Sequence, residues 1–314
     1  MSRELQRIEA IRRRLERPSP EVRTGIGDDA AVLSPSSESS VLTVDVAVEG
    51  VHFRRDLCTL ADAGYRAFMG AASDLAAMGA HPRAALLALI LPPALTDPEL
   101  LELIGGVAEA SDEIGAPVVG GNLSSGGELS LTTTVVGTVA EPLLRNGARD
   151  GEGVYVTGRI GAAALGLALL RAGRAQDGDP TVEACIRRWR RPTAQIGAGR
   201  RLHGLASACI DVSDGLLQDL GHLCESSGVG AEIRADLLPL PERFDALAAS
   251  VDADPLALAL GSGDDYELVF TAPPGPAADT LGTRIGRITE RPGVTVLDET
   301  GSPIDIGPVG YQHF

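Results

Sequence analysis

The chain has 314 residues, 44% of them hydrophobic and only 3% aromatic, enough for two domains with aliphatic cores and too poor in rings for a base-stacking nucleic-acid surface. Its net charge of −16 repels polyanions such as DNA, although a phosphate compound remains within reach if metal ions mediate. Lys is absent and every permanently cationic side chain is Arg, which excludes a P-loop, a protein-kinase site and Schiff-base chemistry.

Residues 4–17 are expected to form a short helix, with Leu5, Ile8, Ile11 and Leu15 on one face and Pro18 and Pro20 stopping it. Its charged, amphipathic character differs from a signal peptide, and no apolar run reaches membrane-spanning length, so the expected location is cytoplasmic. A β-branched strand is expected at 41–51, a helix over 60–79, and a buried strand at 84–91 closed by Pro92 and Pro93. Thr96-Asp97-Pro98-Glu99 opens a helix over 97–114, and two strands are expected at 116–121 and 129–139.

A second unit begins near Arg145, so the expected domains are 1–145 and 146–314. Residues 153–170 read strand, glycine turn, helix; 172–182 read as a loop; 208–223 read strand, loop, helix; 231–240 and 266–273 read as strands. Both halves mix strands and helices, which makes the class α/β or α+β. Cys58, Cys185, Cys209 and Cys224 show neither zinc-ligand nor disulfide spacing.

Acidic motifs recur along this frame. Gly25-Ile26-Gly27-Asp28-Asp29 pairs a tight backbone with adjacent carboxylates, and an ordinary surface turn has the same composition. Asp45 interrupts the apolar strand after Thr43-Val44, where a carboxylate needs a partner or a metal. Ser73-Asp74 fits a helix cap as well as a ligand. Gly120-Gly121-Asn122 follows an apolar strand as a turn whose amides can approach a phosphate. Asp211-Val212-Ser213-Asp214-Gly215 joins a strand to a helix, and capping does not account for both Asp211 and Asp214. Gly261-Ser262-Gly263-Asp264-Asp265-Tyr266-Glu267 runs into another apolar strand. Together these carboxylates suit Mg²⁺, a hard cation that prefers oxygen ligands and substrate phosphates. With Lys absent, Mg²⁺ and Arg must neutralise the phosphates, which is sufficient for phosphoryl transfer.

In this order the motifs resemble the thiamine-monophosphate kinase family, through GIGDDAAVL, TVDVAVEGVHF, SDLAAMGAHP, VVGGN, LLRNGARDGEGVYVTG, DVSDGLLQDLGHL, GSGDDYELVF and GYQHF. The resemblance implies a PurM-like two-domain fold in which N-terminal strands of two subunits form a central barrel, so a homodimer, with a C-terminal α/β sandwich. It also implies an enzyme that passes the γ-phosphoryl of ATP in line to thiamine monophosphate with several Mg²⁺ ions and no phospho-enzyme. By position, Asp29, Thr43, Val44, Asp45, Asp74, Asn122, Asp211 and Asp214 are implied metal ligands. Gly121, Asn122, Arg145 and Ser213 are implied ATP contacts, and His52, Asp264 and Tyr311 substrate contacts. Nucleic acid and membranes are not implied partners. The chain departs from the family pattern at Val44, where a hydroxyl is lost and only a backbone carbonyl serves. It departs also at Asn122, at Asp264, and at Ile104, which replaces an aromatic near the adenine. Another enzyme of the same superfamily, or a non-catalytic nucleotide-binding paralogue, is the alternative.

Overall fold

The computed structural model describes residues 3–176 and 178–306. These divide into two compact units, one of residues 1–75 and 80–140, the other of residues 76–79 and 141–314.

The first unit comprises α1 (Arg3–Leu15), β1 (Val22–Thr24), β2 (Val32–Leu33), β3 (Ser39–Val48), α2 (Leu60–Ala77), β4 (His81–Leu91), α3 (Asp97–Ile114), β5 (Val118–Ser125) and β6 (Ser130–Val139). The last two residues of α2 group with the second unit. The larger sheet has the order β3-β6-β4-β5, antiparallel except for the β4–β5 pair. Alternation along the strands sorts its residues onto two faces. Leu87, Leu89, Leu131 and Val135 are buried with Phe68 and Met69 of α2 and Leu103 and Ile104 of α3. Leu42, Val44 and Val46 of β3 lie on the other face, with Leu86 and Ile90 of β4, and are 39–66% exposed. Thr96 and Glu99 close a reciprocal capping box at the start of α3, and Gly115, at φ 71°, ends it. Arg7 of α1 and Arg17, two residues past its end, bond Asp97 and Asp112 at the two ends of α3.

The second unit comprises β7 (Gly153–Val156), α4 (Ala162–Arg171), α5 (Pro180–Arg190), α6 (Ile196–Arg201), β8 (Ala208–Asp211), α7 (Leu216–Ser227), β9 (Gly230–Arg234), α8 (Phe244–Ala249), α9 (Pro255–Gly261), β10 (Leu268–Ala272), α10 (Pro276–Asp279), β11 (Thr283–Thr289), β12 (Gly293–Leu297) and β13 (Pro303–Ile304). The strands form one mixed sheet in the order β13-β12-β9-β11-β7-β10-β8. Tyr155 and Phe270 stack across β7 and β10 with centroids 5.2 Å apart. All four cysteines are free and buried, and burial pushes the Cys185 thiol up to about 11.

Several expectations are corrected. Ser73 and Asp74 lie inside α2, not at a cap, because the apolar face of that helix runs on past them to Leu75 and Ala76. The stretch expected to be a loop through residue 182 yields to α5 at Pro180, where the Asp179 carboxylate accepts from the Thr181 and Val182 amides. The strand expected to reach residue 240 ends at Arg234, followed by a 3₁₀ turn over Ala235–Leu237. Gly120, Gly121 and Asn122 continue β5 rather than turning. A Cβ on Gly121 would stand 1.8 Å from the Leu87 carbonyl oxygen of β4, so glycine is what lets the strand carry on at that separation.

Candidate active site

In the first unit the structure brings the expected residues together in two places. Asp28 and Asp29, in the loop after β1, share a cavity of about 720 Å³ with Gly120, Gly121 and Asn122 of β5. Ile8, Ile11 and Leu15 of α1 form its apolar wall. β5 is the edge strand of its sheet, so backbone groups on its outer side have no strand partner. Asp29 is exposed, and its amide donates to the Asp28 carboxylate at 2.8 Å. The Asn122 amide group donates to the Ser124 hydroxyl at 3.4 Å.

The second place is the inner face of β3. The Thr43 hydroxyl donates to the Asp74 carboxylate of α2 at 2.5 Å. Asp45 has the same strand parity as Thr43, and it pairs in register with Thr133 of β6. The Thr133 hydroxyl and that of Ser73 are buried and make no hydrogen bond among the described residues. The donors here are carboxylate and hydroxyl oxygens, with buried hydroxyls left over to accept or ligate, and such a set fits Mg²⁺. Val44 has the opposite parity and is 62% exposed, so its side chain stands on the other face of the sheet from Thr43 and Asp45.

His52 sits in the turn after β3. Its Nδ1 accepts from the Val48 amide at 3.1 Å and its own amide donates to the Val48 carbonyl at 2.9 Å. An accepting Nδ1 places the proton of the neutral ring on Nε2. Ile104 is fully buried in α3 rather than on the cavity surface.

In the second unit the loop after β8 and the segment before β10 are stitched together. Leu268 lies opposite Asp211 in the β10–β8 ladder. Beyond it the Val212 amide donates to the Glu267 carbonyl, the Tyr266 amide to the Val212 carbonyl and the Asp264 amide to the Ser213 carbonyl, all at 2.8–2.9 Å. Asp264 and Tyr266 have φ of 71° and 48°, a left-handed conformation that non-glycine residues adopt at a cost and that these bonds hold in place. Asp211, Ser213, Asp214 and Asp264 are thereby set on one pair of loops. Asp211 is 4% exposed, and the Asp214 carboxylate accepts from Gln218 at 3.2 Å. Arg145 is exposed, and its carbonyl accepts from Ser227 at the end of α7, whose hydroxyl also takes the Gly147 and Ala148 amides. Tyr311 lies outside the described residues. Among the described residues no group of three or more His, Cys, Asp or Glu side chains is assembled closely enough to hold a metal ion alone; substrate phosphates are the usual remaining ligands of Mg²⁺.

Three acidic residues support these loops: Asp265 and Glu267 of the motif already singled out, and Asp219, which lies outside every motif named above. Asp219, 3% exposed on α7, accepts from the amides of Ser213, Asp214 and Gly215. Burial pushes its carboxyl up to about 7, with the nearby Asp211 charge adding to the effect. Asp265, fully buried, accepts from the Gly161 and Ala163 amides at 2.7 and 3.2 Å at the start of α4. Glu267 pairs with Arg188 and accepts from Thr157 at 2.6 Å. The signal was present: Asp219 falls on the stripe of Leu216, Leu220 and Leu223, where a polar residue must have partners.

Burial pushes Asp265 up to about 7 as well, against the opposing pull of the two amides and Arg188. The folded protein therefore holds a proton that the unfolded chain releases near pH 4, and stability falls as pH rises from about 4 to about 7. Asp265→Asn removes this contribution. Thermal melts at pH 5 and pH 8 are expected to show the melting temperature of Asp265→Asn, measured against the natural protein, rising by at least about 3 °C between the two. Glu267, which burial also pushes up, retains part of the slope. A gap independent of pH would assign Asp265 an ordinary ionised carboxylate.

Residues 27–139 match the family model of the AIR synthase related protein N-terminal domain, and residues 149–299 that of the C-terminal domain. Thiamine-monophosphate kinase of Aquifex aeolicus (strain VF5) is 36% identical over 292 residues, which span 92% of this chain and 92% of that protein. Thiamine-monophosphate kinase of Escherichia coli (strain K12) is 38% identical over 309 residues, 94% of this chain and 93% of that protein. The solved structure of AaThiL complexed with AMPPCP and TMP aligns with a TM-score of 0.81 at 35% identity, covering 98% of this chain and 96% of that one. Among the described residues no helix is long and apolar enough to cross a membrane.

Proposed function

Because this chain belongs to the thiamine-monophosphate kinase family, we propose that it transfers the γ-phosphoryl group of ATP to thiamine monophosphate, giving thiamine diphosphate by direct in-line displacement with several Mg²⁺ ions. The observation that carries the reading is the pair of stitched loops, which sets the carboxylates Asp211 and Asp214 beside Ser213 and Asp264. The relatives' names and the bound AMPPCP and TMP of AaThiL supply the substrate class.

On this reading Asp29, Thr43, Asp45, Asp74, Asn122, Asp211 and Asp214 hold Mg²⁺ through oxygen atoms, and Val44 contributes its carbonyl only. Bound with the nucleotide, Mg²⁺ supplies charge neutralisation on the phosphates and on the oxygens between which the phosphoryl group moves. Gly121, Asn122, Arg145 and Ser213 orient ATP, and the edge position of β5 leaves its backbone accessible to a phosphate. His52, Asp264 and Tyr311 hold thiamine monophosphate, His52 presenting an Nε2–H donor to an anionic or carbonyl-like group. No side chain of this set needs to become phosphorylated, because positioning and electrostatics account for phosphoryl transfer. The exposed Leu42, Val44, Val46, Leu86 and Ile90 form an apolar sheet face of the kind that pairs with another chain, which supports a homodimer. A cytoplasmic location completes the proposal.

The purified protein incubated with ATP, Mg²⁺ and thiamine monophosphate is expected to yield thiamine diphosphate on chromatography, and EDTA to abolish it. Binding of ATP without product would instead select a different acceptor or a non-catalytic relative.

A further inference from the structure

Successive backbone N–H groups at the start of a helix normally converge on an anion, which is how many loops hold a phosphate. The loop leading into α7 has that form, yet its amides are already taken. The N–H groups of Ser213, Asp214 and Gly215 all point to a single oxygen, Oδ2 of Asp219, at 3.0, 3.1 and 3.1 Å. Asp219 lies within α7 itself and is 3% exposed. Its own amide donates back to the Gly215 carbonyl at 3.0 Å, so the side chain and the first turn of the helix close on each other. The other ionisable residues of the loop, Asp211 and Asp214, are acidic too.

We propose that Asp219 is the positioning residue that makes this loop a cation holder instead of an anion cradle. Its side-chain oxygen fills the concavity formed by three amides and takes the place an anion would occupy there. It also fixes the backbone between Asp211 and Asp214, so that the two carboxylates keep one spacing. A nucleotide phosphate then reaches the loop through a metal ion and the Ser213 hydroxyl rather than through the amides. The inference rests on the phosphoryl-transfer reading given above and concerns residues of this chain alone.

The test uses the full chain and metal binding with the non-hydrolysable nucleotide AMPPCP present, because substrate phosphates complete the ligands of the metal. Free Mn²⁺ is followed by electron paramagnetic resonance for the natural protein, Asp219→Ala and Asp219→Asn. Asp219→Ala is expected to weaken Mn²⁺ binding about 10- to 100-fold, the usual loss when a group that orients metal ligands is removed. Asp219→Asn is expected to stay closer to the natural protein, because its amide oxygen can take the acceptor position of Oδ2 and keep the loop amides engaged. With its amides released, Asp219→Ala is further expected to gain thermal stabilisation from inorganic phosphate that the natural protein does not show. A merely structural role would lower the melting temperature and move neither readout. Should Asp219→Ala fail to fold, Asp219→Glu replaces it: the charge is kept but the oxygen is displaced by one methylene, and Mn²⁺ binding is expected to weaken. Natural Mn²⁺ affinity in the folded variant overturns the proposal, as does equal weakening by Asn and Ala, which would assign the effect to charge alone. Thiamine monophosphate turnover by the natural protein, assayed in the same preparation, separates failure of this inference from failure of the proposed reaction.

Discussion

Asp211→Asn is expected to fold normally and to lower kcat/KM about a thousandfold, ~4 kcal/mol of transition-state stabilisation. Asn has the shape of Asp, so the Asp211–Leu268 pairing at the end of β8 is preserved. What disappears is a negative charge on a residue only 4% exposed, at a point where burial gives charge more weight than it has in water. The Asp211 charge also acts on its neighbours, holding Asp219 and Cys209 in their protonated forms more strongly. Its removal relieves like-charge crowding, so the melting temperature is expected not to fall. Steady-state kinetics over a Mg²⁺ titration, with circular dichroism on the same samples, gives both readings. Turnover equal to that of the natural protein would remove Asp211 from the metal-binding set.

The second large effect is steric. Gly263→Ala is expected to lower kcat/KM about a hundredfold, as misplacement of a catalytic constellation by about 1 Å does. A Cβ at that position would stand 1.8 Å from the Ser213 carbonyl oxygen, 2.7 Å from its carbonyl carbon and 3.0 Å from the Asp214 Cα. All three are backbone atoms, so no side chain can swing aside and the two loops must part. The Asp264 amide then loses its bond to Ser213, and Asp264 separates from Ser213 and Asp214. Gly221→Ala is the control. It lies on α7, its Cβ would meet nothing within 4 Å, and alanine is the better helix former; activity is expected to stay unchanged with a slight gain in melting temperature. Undiminished activity in Gly263→Ala would mean that the loop contact does not position Asp264.

Much of the frame was legible as pattern. The helix over 97–114 was readable to the residue, because Thr96 and Glu99 form a local capping box and Gly115 supplies the left-handed end. The strands around Asp45 and Asp211 were legible because β-branched and apolar runs carry their own period. The carboxylates themselves were conspicuous, since an acidic residue interrupting an apolar strand has few explanations. Short elements were not legible. α8, α9 and the strands β11, β12 and β13 lack a long periodic signal, and their conformation depends on the sheet they join; α5 differs, since Val182, Cys185, Ile186 and Trp189 recur at helical spacing.

Local sequence determined which residues can do chemistry here: oxygen donors in acidic motifs, with Arg as the sole permanently cationic side chain. The three-dimensional fold decided which of them act together. Asp74 meets Thr43 because a helix interior lies over a strand face, and Val44 turns away because strand parity alternates. Asp264 joins Ser213 through one of three backbone hydrogen bonds between segments some fifty residues apart, which together hold two non-glycine residues in left-handed geometry. Asp219 looked like an ordinary helical acid, and Asp265 and Glu267 like further members of their acidic motif; only burial made the three the supports of the loops. Desolvation is a property of packing, and packing is not written in any one segment.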